Sequence, residues 1–133
     1  MQNFIKNFKD WFSLKPKLDS NNHKPPFVSE RDIWWAHLGE NIGTEISGKS
    51  KKFTRPVIIY KKLSNYTFLV IPTSTKIKSG SWYFNFIYKN KSLITCLHQI
   101  KIIDYIRLDD KMGKISQLDF ELIKKSLLNL YFK

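Results

Sequence analysis

The chain has 133 residues, 42% of them hydrophobic and 15% aromatic, with 23 Lys and Arg against 11 Asp and Glu for a formal net charge of +12. That is long enough for one domain with its own core and too apolar for a disordered chain. No apolar run approaches the roughly 18 residues of a membrane span, the start lacks the apolar core of a signal peptide, and the single cysteine, Cys96, excludes an intrachain disulfide and fits a reducing cytoplasm.

Residues 1–14 predict a short helix, with Phe4, Phe8, Trp11 and Phe12 on one face and Pro16 ending it. Four aromatics beside few lysines favour docking onto protein over lying on a membrane. Residues 15–29 hold Pro16, Ser20, Asn21, Asn22, Pro25 and Pro26 and read as a linker. The chain therefore divides into an N-terminal helix with its linker, 1–29, and a compact domain, 30–133. In that domain the first strand is expected over 33–38, followed by a loop over 39–54. Further strands follow over 56–61, 66–71, 82–87, 93–97 and 100–103, separated by turns at Asn65 and Asn90. The segment 72–75 is expected to end the third strand. Ser116 then caps a helix whose apolar face is Leu118, Leu122, Ile123, Leu127 and Leu130. Many short strands followed by one helix imply a small, strongly curved antiparallel barrel.

The loop 39–54 holds glycines, hydroxyls and Lys49, Lys51 and Lys52, and it ends on Arg55 before Pro56 and an apolar β-branched run. An arginine between a mobile loop and a rigid strand is well placed to stabilise phosphate charge, although many such arginines are only solvated. The net charge of +12 favours polyanionic partners, with biased Lys-rich composition as the plain alternative. His23, His37 and His98 are scattered, with no HxxxH or CxxC spacing, so neither a metal nor another cofactor is expected. The Gly48-Lys49-Ser50 triplet lacks the rest of a phosphate-binding loop. Three groups remain: Arg55 at the start of the second strand, Thr73, Ser74 and Thr75 at the end of the third, and His98 with Gln99 after the fifth. Singly these are turn formers and structural polar residues. Together they supply a guanidinium, hydroxyl donors and an imidazole, the parts that metal-free cleavage of RNA requires.

These residues carry a resemblance to the MazF/PemK toxins of type II toxin–antitoxin systems. The matching pieces are Arg31-Asp32-Ile33-Trp34, Leu38 to Glu45, Arg55-Pro56-Val57, Ile71-Pro72-Thr73-Ser74-Thr75 and Gln99 to Leu108, in that order. Gly113 and a terminal helix follow, so the likeness spans about residues 30–132. It implies a mainly β fold with α, an SH3-like small antiparallel barrel of the CcdB/PemK type with a C-terminal helix, to which this chain adds the N-terminal helix. It further implies a cytoplasmic homodimer that cleaves single-stranded RNA sequence-selectively and without metal, held in check by a cognate acidic antitoxin. By the same resemblance Arg55 would stabilise the reacting phosphate, Ser74 would donate to it, and Glu45 would help organise the RNA site. Thr73 and Thr75 flank Ser74, and Lys49, Lys51, Lys52, Lys76 and Gln99 join the RNA-binding set. His98 stands where many members carry Asp or Glu, and could act as base or acid. Ser74 replaces the usual threonine, and the loop before Arg55 is about four residues longer than the compact family loop. The alternative is a non-catalytic binding protein on the same barrel, either gyrase-binding like CcdB or a degenerate module that binds RNA or antitoxin.

Overall fold

The computed structural model describes residues 6–21 and 23–132. In chain order the elements are α1 (Phe8–Asp19), β1 (Asp32–His37), β2 (Thr54–Lys62), β3 (Thr67–Ser74), β4 (Tyr83–Tyr88), β5 (Lys91–Cys96), β6 (Lys101–Asp104), β7 (Leu108–Lys114) and α2 (Gln117–Phe132). The strands form one antiparallel sheet in the order β4-β5-β3-β2-β1-β7, with β6 also paired to β3. β3 is the organising strand. Along one edge it pairs with β2; along the other, its first half pairs with β6 and its last residues, Thr73 and Ser74, pair with β5. This change of partner curls the sheet into a half barrel with a core on each face. Alternation puts Val57, Ile59 and Val70 in one core, with Trp34 and Phe68. Ile33, Ile58 and Ile71 fall in the other, closed by Phe120, Ile123 and Leu127 of α2. No helix among the described residues is long and apolar enough to cross a membrane.

Several expectations are corrected. The first helix runs over Phe8–Asp19 and continues through Pro16. Pro16 is exposed and leaves only the carbonyl one turn back, on exposed Phe12, without its helical partner, so water can satisfy it. The docking face is Trp11, 3% exposed, with half-buried Leu14 and Leu18, whereas Phe12 is 63% exposed; Phe4 lies outside the described residues. Pro72 does not end β3, because it sits where the outer edge of the strand has left β6 and not yet met β5, so no ladder needs its missing N–H. β7 was not expected from its charged sequence. Buried Asp32 of β1 explains it: its carboxylate pairs with Lys111 at 3.4 Å and Lys114 at 3.6 Å, fastening β7 to β1. On α2, Ser116 caps as expected: its hydroxyl accepts from Asp119 N and donates to the Asp119 carboxylate. The buried face is shifted, however, to Phe120, Ile123 and Leu127, and Leu118 is exposed.

Candidate functional site

The site lies where β2 begins and β3 ends. β2 enters from the long loop, and its second residue, Arg55, is held in place by backbone. Its Nε donates to the Ser47 carbonyl, and a terminal nitrogen donates to the Thr73 carbonyl at 3.4 Å. Two of the five guanidinium N–H groups thus fix the side chain, and the rest of the fork can meet a ligand. Burial lowers the Arg55 pKa, as it must for a cation drawn out of water, yet an arginine keeps its charge throughout the physiological range. Ser74 is 8% exposed. Its Oγ accepts from Lys76 N at 3.2 Å, which leaves the hydroxyl proton for a ligand.

Arg55 and Ser74 form a ridge between two depressions. One, about 210 Å³, is walled by Thr44, Ile46, Lys76, Lys78, Tyr83, Cys96, His98 and Gln99. The other, about 390 Å³, lies on the opposite side and includes Thr75 and Lys49. His98 stacks on Trp82 with ring centroids 4.7 Å apart and meets Tyr83 edge-on at 5.2 Å. Its Nδ1 is buried from solvent. Burial is the main cause that lowers its pKa, with the Trp82 backbone acting in the opposite sense and Lys78 reinforcing the drop. Neutral imidazole is therefore favoured. Burial likewise raises the Cys96 thiol pKa, although Arg55 and Lys78 oppose it.

Gln99 holds the loop to the barrel. Its Oε1 accepts from Ile46 N at 3.0 Å, and its Nε2 donates to the Thr44 carbonyl at 2.9 Å. Glu45 is exposed, accepts from Ile42 N at 3.2 Å, and shares a neighbouring depression with His98, Gln99 and Lys101. Lys49 lines the larger cavity, and burial, with Arg55 and Lys76 nearby, lowers its pKa. Thr73 lies in the lining of the larger cavity but is fully buried, and its hydroxyl donates to the Pro56 carbonyl at 2.8 Å, so that group supports the ridge; the two remaining lysines are not gathered in. Lys52 turns to Asp109 at 3.6 Å, and Lys51 is exposed on the loop and lines neither depression. Sequence reasoning missed Lys78, Tyr83 and Trp82. Tyr83 opens β4 and Trp82 stands in the turn just before it, whereas the sequence showed both only as part of a strand.

The family model described as PemK-like, MazF-like toxin of type II toxin-antitoxin system matches residues 29–131. No curated protein matches the chain. Among solved structures, it resembles MazF from Deinococcus radiodurans with a TM-score of 0.66 at 12% identity, covering 79% of this chain and 97% of that one. Mycobacterium tuberculosis toxin MazF-mt6 matches with a TM-score of 0.59 at 15% identity, over 76% and 96%. An endoribonuclease in complex with its cognate antitoxin from a mycobacterial species matches with a TM-score of 0.60 at 10% identity, over 80% and 98%. At such identities these likenesses speak for the fold.

Proposed function

The chain belongs to the PemK-like, MazF-like toxins of type II toxin–antitoxin systems, and we propose that it acts as the family resemblance implies, as an endoribonuclease that cuts single-stranded RNA with its own side chains. The observation that carries this reading is the shared ridge: Arg55 and Ser74, from two adjacent strands, line the same two depressions, and His98 walls one of them. The scissile phosphate sits on the ridge. The 2′-OH gives its proton to the His98 imidazole, and the 2′ oxygen bonds to phosphorus. The bond to the 5′ oxygen breaks, and that oxygen takes a proton from solvent. The ends are a 2′,3′-cyclic phosphate and a 5′-OH. Arg55 and the Ser74 hydroxyl stabilise the charge that builds on the phosphate oxygens, and Lys76 and Lys78 hold the neighbouring backbone.

The same reading makes 30–133 the toxin domain, with 1–29 an added segment, and places the protein in the cytoplasm as a homodimer. The net charge of +12 suits an acidic antitoxin as well as RNA. The deciding experiment incubates the full chain with a long single-stranded RNA in EDTA and maps the fragment ends. Discrete cuts with cyclic or 3′-phosphate ends are expected, reduced about 100- to 1000-fold in kcat by Arg55→Ala with the circular dichroism unchanged. Full activity in Arg55→Ala would remove that residue from the mechanism, and intact RNA across varied sequences would leave a binding protein.

A further inference from the structure

His98 stands on a single helical turn, Leu97–Gln99, whose backbone is pinned on both sides of it. Leu97, before it, is fully buried in the second core. The Leu97 N–H donates to the Trp82 carbonyl at 2.8 Å, and its carbonyl accepts from the Tyr131 hydroxyl of α2 at 2.7 Å. Gln99, after it, is tied to the loop through Thr44 and Ile46. The imidazole between them meets two rings. The Trp82 indole lies nearly parallel to it, with 21° between planes, and the Tyr83 phenol stands almost upright to it, at 77°. Two such walls leave a flat side chain little choice of orientation. Trp82 is not there for the core: it belongs to neither cluster and is 52% exposed.

We propose that Trp82 and Tyr131 are positioning residues for the His98 imidazole: the indole fixes the plane of the ring by stacking, and the tyrosine hydroxyl fixes the turn that carries it, so that the ring meets the 2′-OH beside Arg55 and Ser74. The inference rests on the reading of His98 as the general base. A base must lie within hydrogen-bond reach of the proton it takes, and a misplacement of about 1 Å costs on the order of 100-fold in rate. Arg55 is held by two backbone carbonyls, and Ser74 sits in the ladder between β3 and β5. A histidine on a one-turn helix has no such ladder, and the stack supplies the missing constraint. The pairing also suits the residue type. An imidazole stacks on an indole face, where a carboxylate would lose hydration and gain no comparable contact. The histidine at 98 and the tryptophan at 82 therefore serve each other.

The test uses the full chain with Trp82→Ala, Trp82→Phe and Tyr131→Phe, each alone and combined with His98→Gln. kcat and KM are measured on a single-stranded RNA, and affinity is measured for a short single strand that carries a 2′-deoxy sugar at the cut and cannot be cleaved. The His98 ring protons are followed by NMR. Trp82→Ala should lower kcat about tenfold and Tyr131→Phe about threefold, with KM and affinity for the uncleavable strand unchanged. Trp82→Phe should restore most of kcat. In His98→Gln neither substitution should lower kcat further, since both act through the ring. The ring protons, shifted upfield over the indole in the parent chain, should move to the values of a solvated imidazole in Trp82→Ala. Tyr131→Phe deletes a single oxygen, so the cycle can be read even if Trp82→Ala is unstable. Equal losses with and without His98 would overturn the assignment while the ribonuclease stands. So would a raised KM with kcat unchanged, which would make Trp82 a direct RNA contact. If the parent chain leaves RNA intact but shows the upfield shift and Trp82→Ala loses it, the stack stands and the chemistry falls. Unshifted ring protons in the parent chain would remove the stack itself.

Discussion

His98 is the site's imidazole, and its surroundings set the direction of its pH response. Burial holds its pKa below the ordinary imidazole value, so the neutral base persists to lower pH than a solvated histidine would allow. Cleavage should therefore fall on the acid side only below about pH 6.5, and His98→Gln should remove that limb from the kcat/KM profile as well as lowering the rate. The sign for stability is the same: the unfolded chain binds the proton more readily, so the contribution is present above the unfolded value and is lost as pH falls through the folded one. A second residue-scale contrast separates support from chemistry. Thr73→Val deletes the buried bond to the Pro56 carbonyl and should cost about 1 kcal/mol in denaturant melts with kcat little changed. Ser74→Ala should leave the melt in place and lower kcat about 100-fold. The family resemblance singled out Ser74, whereas the residue pattern by itself does not separate the two hydroxyls, because which one points inward depends on the register of β3 against β5.

α1 acts on the site through the loop it braces. Trp11 packs on Phe53 with centroids 5.6 Å apart and lies under the Arg107 guanidinium, while Lys6 donates to the Asn41 carbonyl at 2.6 Å and the Asn7 amide to the Glu40 carboxylate at 2.6 Å. All these loop residues precede Arg55, whose Nε is fixed by the same loop at Ser47. Gly39 adopts φ +80°, and a methyl group there would collide with the indole. Trp11→Ala should lower stability by about 3–5 kcal/mol in chemical denaturation. Because Arg55 is then held less firmly, kcat measured well below the new melting temperature should fall too; an unchanged kcat would confine α1 to stability. The apolar β-branched run in β2 and the capped α2 were legible because local pattern and fold agree. β7 was not, because Lys111 and Lys114 become strand residues only through their pairing with buried Asp32. α1 was legible as a helix, but its inward face was not, since Phe8, Trp11 and Phe12 compete equally in sequence and only the pocket around Gly39 selects Trp11. The motif residues Arg55 and Ser74 were legible as pieces, whereas the walls around them come from β4, β5 and β7 and exist only once the sheet has curled.

At the scale of the whole molecule, charge and shape divide the work of binding. A formal charge of +12 draws any polyanion toward the surface without choosing among sequences. Choice has to come from the cavities, which are small and partly apolar and are little affected by salt. The two contributions are separable by ionic strength, since each phosphate neutralised releases condensed counterions and single strands give a slope of about −0.7 per contact. If Arg55, Lys49, Lys76 and Lys78 carry the backbone contacts, log affinity for the uncleavable strand should fall against log salt with a slope of about −3. Lys78→Ala should make that slope shallower by about 0.7. A slope that Lys78→Ala leaves unchanged would put the RNA backbone on some other cationic face, and with it the strand off the ridge. A slope that becomes shallower in Lys78→Ala would run the strand along the depression that Lys78 walls, beside Arg55 and Ser74.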